Sequence, residues 1–317
     1  MMPFAARRLV RGLLVVLLAT FLAVALLSLA PGSVAASLLG DQATPEAVAT
    51  LTTRLGLDQP IPVQYWRWLT GLARGDFGTS VLTNQPVIDA ILQRLPVTVE
   101  IAVLAEVIAL GAAVPGAIWA ASRPGDVVDR LCAVMSSAAM SIPAFVAAPV
   151  LVYLLAIKAG IFPVTGWNPI EDGVGANLRS ALLPAFAVAL PEFAAFQRLL
   201  RTDLGTTLAE DYIAAARARG LTGSYVLWRH ALRPSSLSLL TLAGISIGRL
   251  LGGTVIVESL FSLPGLGQLV IQSITARDVI VVQGIVAFVV IVYVLLNTLV
   301  DITYGAIDPR VRHEVAR

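Results

Sequence analysis

The sequence predicts an all-α integral membrane protein with six transmembrane helices, and three observations carry that prediction. Of its 317 residues, 57% are hydrophobic and only 13% charged, against about a quarter charged in an ordinary soluble domain. Leu131 to Ile157 and Val279 to Val300 are runs of 27 and 22 residues without a formal charge, where about 20 suffice to cross the hydrocarbon. Strand-length alternation is absent, and a lipid-exposed segment must satisfy its own backbone hydrogen bonds, which leaves a helical bundle.

In chain order the expected spans are Gly12 to Ala30, Val97 to Ser122, Leu131 to Ile157, Ser180 to Gln197, Leu237 to Val257 and Val279 to Val300. The first competes with a secretory signal, because Arg7, Arg8 and Arg11 precede its apolar core and small residues surround Val34 to Ser37. That core is longer than the roughly 7 to 15 residues of a signal, which favours a span. Pro143 and Pro149 are expected to kink the third. Gly244, Gly248 and Gly252 recur every four residues along the fifth. Such a small-residue stripe lets another helix approach, from the same subunit or from a neighbour.

Positive charges set the orientation. With the N-terminus inside, the cytosolic side collects Arg7, Arg8, Arg11, Arg123, Arg130, Arg198, Arg201, Arg217, Arg219, Arg229, Arg233, Arg310, Arg312 and Arg317. The other side holds Arg54, Arg67, Arg74, Arg94, Lys158, Arg179 and Arg277. Both termini are therefore expected in the cytosol. The organisation that follows is residues 1–30 as the N-terminal end and first span, 31–95 as an extracytoplasmic subdomain, and 96–317 as the remaining transmembrane core. In the subdomain, Thr44 suits an N-cap with Pro45 at the first helical position. Its Tyr65, Trp66 and Trp68 read as interfacial anchors or as a partner contact.

The long polar interruption of the C-terminal half is Asp211 to Pro234, inside a loop of about 201–235. Thr206 to Arg219 favours helix, Gly220 permits the left-handed turn that ends it, and a second short helix from Ser224 to Leu232 is expected to stop before Pro234. Two short helices projecting below a membrane can fit a groove in a soluble partner, or lie on anionic headgroups.

Other chemistry is missing. A phosphate-binding loop needs a lysine after glycine, and the one lysine, Lys158, stands in AIKAG. Gly265-Leu266-Gly267 lacks a third glycine, since Val270 stands in its place, and reads as a turn between spans five and six. His230, His313 and Cys132 have no metal-ligand spacing, so no metal is expected.

Ala215, Ala216 and Gly220, with His230-Ala231-Leu232-Arg233, resemble the EAA loop of binding-protein-dependent ABC importer permeases. The chain most resembles the first permease subunit of the dipeptide, oligopeptide and nickel importers, over nearly its whole length. The supporting motifs are Leu55 to Pro60 with Gln64-Tyr65, Gly75-Asp76-Phe77-Gly78, and Arg94-Leu95-Pro96 with Thr98 to Glu100. Further on stand Asp211-Tyr212, Ala216 to Gly220, Pro264 to Gly267, Val282-Gln283-Gly284 and Asp308-Pro309-Arg310. The chain departs from the general loop in having Ala214 where a glutamate precedes the glycine by six residues.

The resemblance implies a multi-pass cell-membrane subunit without its own ATPase site, whose loop residues Asp211, Tyr212, Ala215, Ala216, Arg217, Arg219, Gly220, Leu221 and His230 seat in an ATPase. It implies a second homologous permease, one or two ATPases that bind ATP and Mg, an extracytoplasmic solute-binding protein, surrounding lipid, and no nucleic acid. No cofactor is expected in this chain. Gly244, Gly248, Gly252, Arg249 and Glu106 are candidates for helix packing or the pathway. Arg249, expected near the middle of span five, should pair with a carboxylate such as Glu106 or one of the sister permease, or line the pathway and meet the carboxylate of a peptide-like solute. Peptide, nickel, haem and glutathione remain open as solutes. The rival is a proton- or ion-coupled secondary transporter acting without ATPases and using Glu100, Glu106, Glu192 and Glu258, which the polar loop fits poorly.

Overall fold

The structure, a computed structural model, describes residues 2–29, 33–39, 43–56 and 58–307. The Asp308-Pro309-Arg310 motif, Arg312, His313 and Arg317 lie outside the described residues, as does Leu57. The chain divides into two compact units, residues 1–98 with 264–298, and residues 99–263 with 299–317.

In the first unit, α1 (Met2–Leu29) is followed by α2 (Val34–Leu39), α3 (Pro45–Leu55) and α4 (Ile61–Leu72). Thr44 caps α3 as expected, its hydroxyl accepting from the Ala47 N–H at 3.2 Å, and Pro45 opens the helix. Tyr65 on α4 is committed inside the unit. Its hydroxyl donates to the Leu17 carbonyl at 2.9 Å and its ring meets Phe21 edge-on at 5.3 Å, while Trp66 is exposed. The start of α5 (Val87–Ser122), α13 (Leu266–Thr275) and the first part of α14 (Val279–Ile307) share a core of Val87, Ile91, Leu266, Val281 and Ile285. Two polar contacts fix its ends: the Thr98 hydroxyl accepts from the Leu266 N–H at 2.8 Å, and the Ser80 hydroxyl donates to Asp278 at 2.5 Å. The expected turn at 264–267 is therefore shorter than read. Gly265 is the N-cap and Gly267 already lies in α13, because the Thr98 cap takes up the first free N–H of that helix.

In the second unit, α8 (Val174–Leu208) packs against α6 (Val127–Ser141), α7 (Ala144–Leu151) and α11 (Leu232–Gly253). Small residues line the buried side of α8, where Ala181, Ala185, Ala187, Ala189 and Ala194 are enclosed. On α5, Ala102, Ala105, Ala109, Ala113, Ala117 and Ala120 are all fully buried, a row at helical spacing that admits neighbours to short distance. A buried hydrogen bond of 2.5 Å from the Ser136 hydroxyl to Gln197 joins α6 to α8.

The expected third span is broken, not kinked. The pair Val127–Ser141 and Ala144–Lys158 is bent by 104°. Ile142, ahead of Pro143, is extended (φ −103°, ψ 110°), the conformation that a following proline favours by disfavouring the α region. Pro149 sits inside α7, which continues as a π-helical stretch, Val152–Lys158.

Span five also differs. Gly223 to Gly253 is one helical run of 31 residues, made of α10 (Gly223–Tyr225), a π-helical stretch (Val226–Ala231) and α11, and Pro234 lies within it. After a turn at Thr254, α12 (Val255–Leu260) follows. Among the described residues, four helices are long and apolar enough to cross a membrane, or five if the bent pair is one span, and Val10–Leu26 of α1 is a shorter apolar stretch.

The glycine stripe has different neighbours along its length. A Cβ on Gly244 would collide with Val300 of α14, so at that point the approaching helix belongs to this chain. Gly248 is buried and Gly252 exposed.

Candidate functional site

The polar loop begins where α8 ends at Leu208, and α9 (Asp211–Ala218) starts after a two-residue break at Ala209 and Glu210. Asp211 stands in the first turn of α9, where a negative charge complements the free N–H groups. Ile213 and Ala216, three residues apart, are buried on one face. Asp211, Tyr212, Ala215, Arg217, Arg219, Gly220 and Leu221 are exposed.

Gly220 is left-handed, with φ +83°. Its N–H reaches the Arg217 carbonyl at 2.9 Å and the Leu221 N–H reaches the Ala216 carbonyl at 3.4 Å, the paired bonds of a Schellman ending. Thr222 then caps α10, its hydroxyl accepting from the Tyr225 N–H at 3.4 Å. The reversal between the two helices thus takes only Arg219 to Thr222.

The second helix does not stop before Pro234. In an α-helical register the His230 carbonyl would take the N–H of residue 234, and proline has none. Two features accommodate the missing donor: the π-helical stretch just before it, and the Tyr212 hydroxyl, which donates to the His230 carbonyl at 3.3 Å. The His230 ring meets Tyr225 edge-on at 5.5 Å. A shallow hollow of about 430 Å³ is lined by Ser224, Tyr225, Trp228 and Arg229.

A second polar site lies inside the second unit, near the middles of α5 and α8. Glu192 on α8 is buried and accepts from Arg249 Nη2 on α11 at 2.5 Å. Glu106 on α5 is also buried, and its Oε2 accepts from the Ser246 hydroxyl at 2.6 Å. Arg249 therefore meets Glu192 and not Glu106, because Ser246, one turn earlier on α11, occupies Glu106. Nor is Arg249 at the centre of its helix: it stands one turn before the end of α11 at Gly253. Its side chain remains 56% exposed, against 5% for Glu192. Glu258 on α12 is fully buried and accepts from the Thr254 hydroxyl at 2.7 Å.

Long apolar helices carrying a buried ionic cluster and a polar helix pair define a multi-pass membrane protein. The chain belongs to the family described as binding-protein-dependent transport system inner membrane component, whose profile matches residues 113–313, and the corresponding N-terminal profile matches residues 1–102. It is 37% identical over 307 residues to the probable peptide ABC transporter permease protein y4tP of Sinorhizobium fredii, covering 97% of this chain and 98% of the relative. It is 32% identical over 333 residues to the dipeptide transport system permease protein DppB of Alkalihalophilus pseudofirmus, covering 99% and 100% of the two chains. A solved amino acid ABC transporter with histidines superposes at a TM-score of 0.51 with 18% identity, over 69% of this chain and 94% of that one, a likeness of fold alone.

The sequence pointed to Gly220, the α9 residues and Arg249. It did not point to Glu192 as the partner of Arg249. Glu106 was the partner named from the sequence; Glu192 lies 57 residues from Arg249, and nothing local distinguishes it from the other carboxylates of the apolar segments.

Proposed function

We propose that this chain is a permease subunit of an ATP-driven importer of peptides, forming the pathway with a second, homologous permease. The observation that carries the reading is the end-to-end likeness to the two peptide permeases. In this reading both termini and the loop of about 201–235 face the cytosol, residues 31–95 face outward, and the six apolar segments of the sequence are the spans. One or two ATPase subunits hold ATP and Mg and grip α9, Gly220 and the start of the following helix. A solute-binding protein delivers the peptide from outside. The chain itself performs no hydrolysis and transmits the movement of its partners.

Purifying the tagged chain from its source membranes should bring down a second permease and an ATPase. In a Cys132→Ser background, Asp58→Cys should react with a membrane-impermeant maleimide on intact cells, and Ser224→Cys only after permeabilisation. Purification without an ATPase overturns the importer reading, and the reverse labelling pattern overturns the orientation.

A further inference from the structure

We infer that Arg249 binds the carboxylate of the transported solute and that Glu192 is its positioning residue. The inference rests on the peptide-import reading above and names the chemical group this chain would recognise.

An arginine facing lipid within a membrane is unfavourable, so an exposed one is held against water or an opposite charge. The opposite charge is already present in the chain. Glu192 is almost fully buried near the middle of α8 and accepts one Nη2 hydrogen bond at 2.5 Å. A residue kept only for that pair would be enclosed with it. Instead Arg249 is 56% exposed and makes that single hydrogen bond among the described residues. Guanidinium carries five N–H donors in a planar fork suited to a carboxylate, so its remaining donors are available on the exposed side.

The surroundings leave room for a ligand there. Gly252 and Gly253 follow Arg249 by three and four positions and so share its helix face. Gly252 is exposed, and a Cβ on Gly253 would meet nothing within 4 Å. Behind the pair, Glu106 is engaged by Ser246 and has one buried oxygen, Oε1, without a hydrogen-bond partner. The cluster therefore holds two carboxyl groups for one arginine. Glu192 binds Arg249 from the protein side and fixes its position, while a solute carboxylate meets the other edge as the solute passes. Peptides with a free C-terminus carry that group; their C-terminal amides do not.

The test uses the assembled transporter with all its partner subunits in proteoliposomes. Removing Arg249 alone strands a buried carboxylate and can block assembly, so the informative variant is Arg249→Cys with Glu192→Gln, in a Cys132→Ser background. It should assemble normally and import a tripeptide with a free carboxylate at least about tenfold more slowly, the effect of one lost charge-assisted hydrogen bond. Treatment with the cationic aminoethyl methanethiosulfonate should restore a large part of the uptake, and the anionic sulfonatoethyl reagent should not. Uptake of the tripeptide amide should not depend on the charge at position 249. A cysteine that neither reagent reaches, failure of the double variant to assemble, or equal effects of the two reagents would each overturn the inference. If the wild-type complex imports no peptide, the functional reading fails. If it does and the variant imports at full rate, only the role of Arg249 fails.

Discussion

Two arginine–carboxylate pairs in this molecule have the same shortest distance and opposite uses of the fork. Arg201 on α8 meets Asp129 on α6 through two bonds, Nε to Oδ1 at 2.5 Å and Nη2 to Oδ2 at 2.7 Å. Asp129 Oδ2 also accepts from the Gly125 N–H at 2.9 Å, which ties the turn before α6 into the same knot. Arg249 meets Glu192 through one bond at 2.5 Å. Both carboxylates are nearly enclosed, at 7% and 5%, yet Arg201 is 38% exposed and Arg249 56%. The first arginine spends its planar edge on the protein, and the second keeps one free. Distance alone does not separate a clamp from a receptor; the number of donors used does.

The largest expected effect breaks the clamp. Asp129→Ala leaves the Arg201 fork and the Gly125 N–H without their acceptor. A fully buried broken pair loses about 3 to 5 kcal/mol, and with Arg201 more than a third exposed the loss here should be about 2 kcal/mol. Thermal unfolding of the detergent-purified complex should show a clear drop. Arg249→Lys, which keeps a cation beside Glu192, should lower the transition far less while impairing uptake. Equal drops for the two would erase the distinction between the pairs.

A middle-sized effect concerns the loop reversal at Gly220. No atom beyond its chain neighbours lies within 4 Å of where its Cβ would stand, so a side chain there is opposed only by the local backbone at φ +83°. A β-branched residue is strained in that region by about 1 to 2 kcal/mol, whereas asparagine visits it readily. Gly220→Val should leave the complex assembled and lower uptake, with Gly220→Asn between it and the wild type. If valine and asparagine transport alike, the left-handed turn is not what coupling requires.

What the sequence revealed and what it hid divide along a physical line. Features set by one residue and its neighbours were legible: the Thr44 cap, the left-handed Gly220, and the uncharged run Val279 to Val300 that becomes most of α14. Features decided by a distant part of the chain were not. The break at Pro143 could be read as a kink, because proline alone permits either and tertiary packing selects the bend. Pro234 looked like a helix stop, since the π-helical stretch and the Tyr212 hydroxyl that accommodate it lie outside its own turn. The buried alanine row of α5 was visible in the letters, but alanine is common in any apolar helix, and nothing local says which alanines face a neighbour.

The smallest expected effect isolates the Tyr212 contact. Its hydroxyl reaches the His230 carbonyl at 3.3 Å from a half-exposed ring, a long bond that should contribute about 0.5 to 1 kcal/mol. Tyr212→Phe removes the hydroxyl and keeps the ring, so assembly should persist while uptake falls by a factor of about two to five. Pro234→Ala supplies the N–H that the helix otherwise lacks, and in that background the His230 carbonyl has a second donor. The effect of Tyr212→Phe should therefore shrink when Pro234→Ala is present, and a double-mutant cycle of uptake rates reads the difference directly. If the phenylalanine effect is the same with and without the proline, the hydroxyl acts elsewhere, and the helix passes Pro234 on the strength of its π-helical stretch alone.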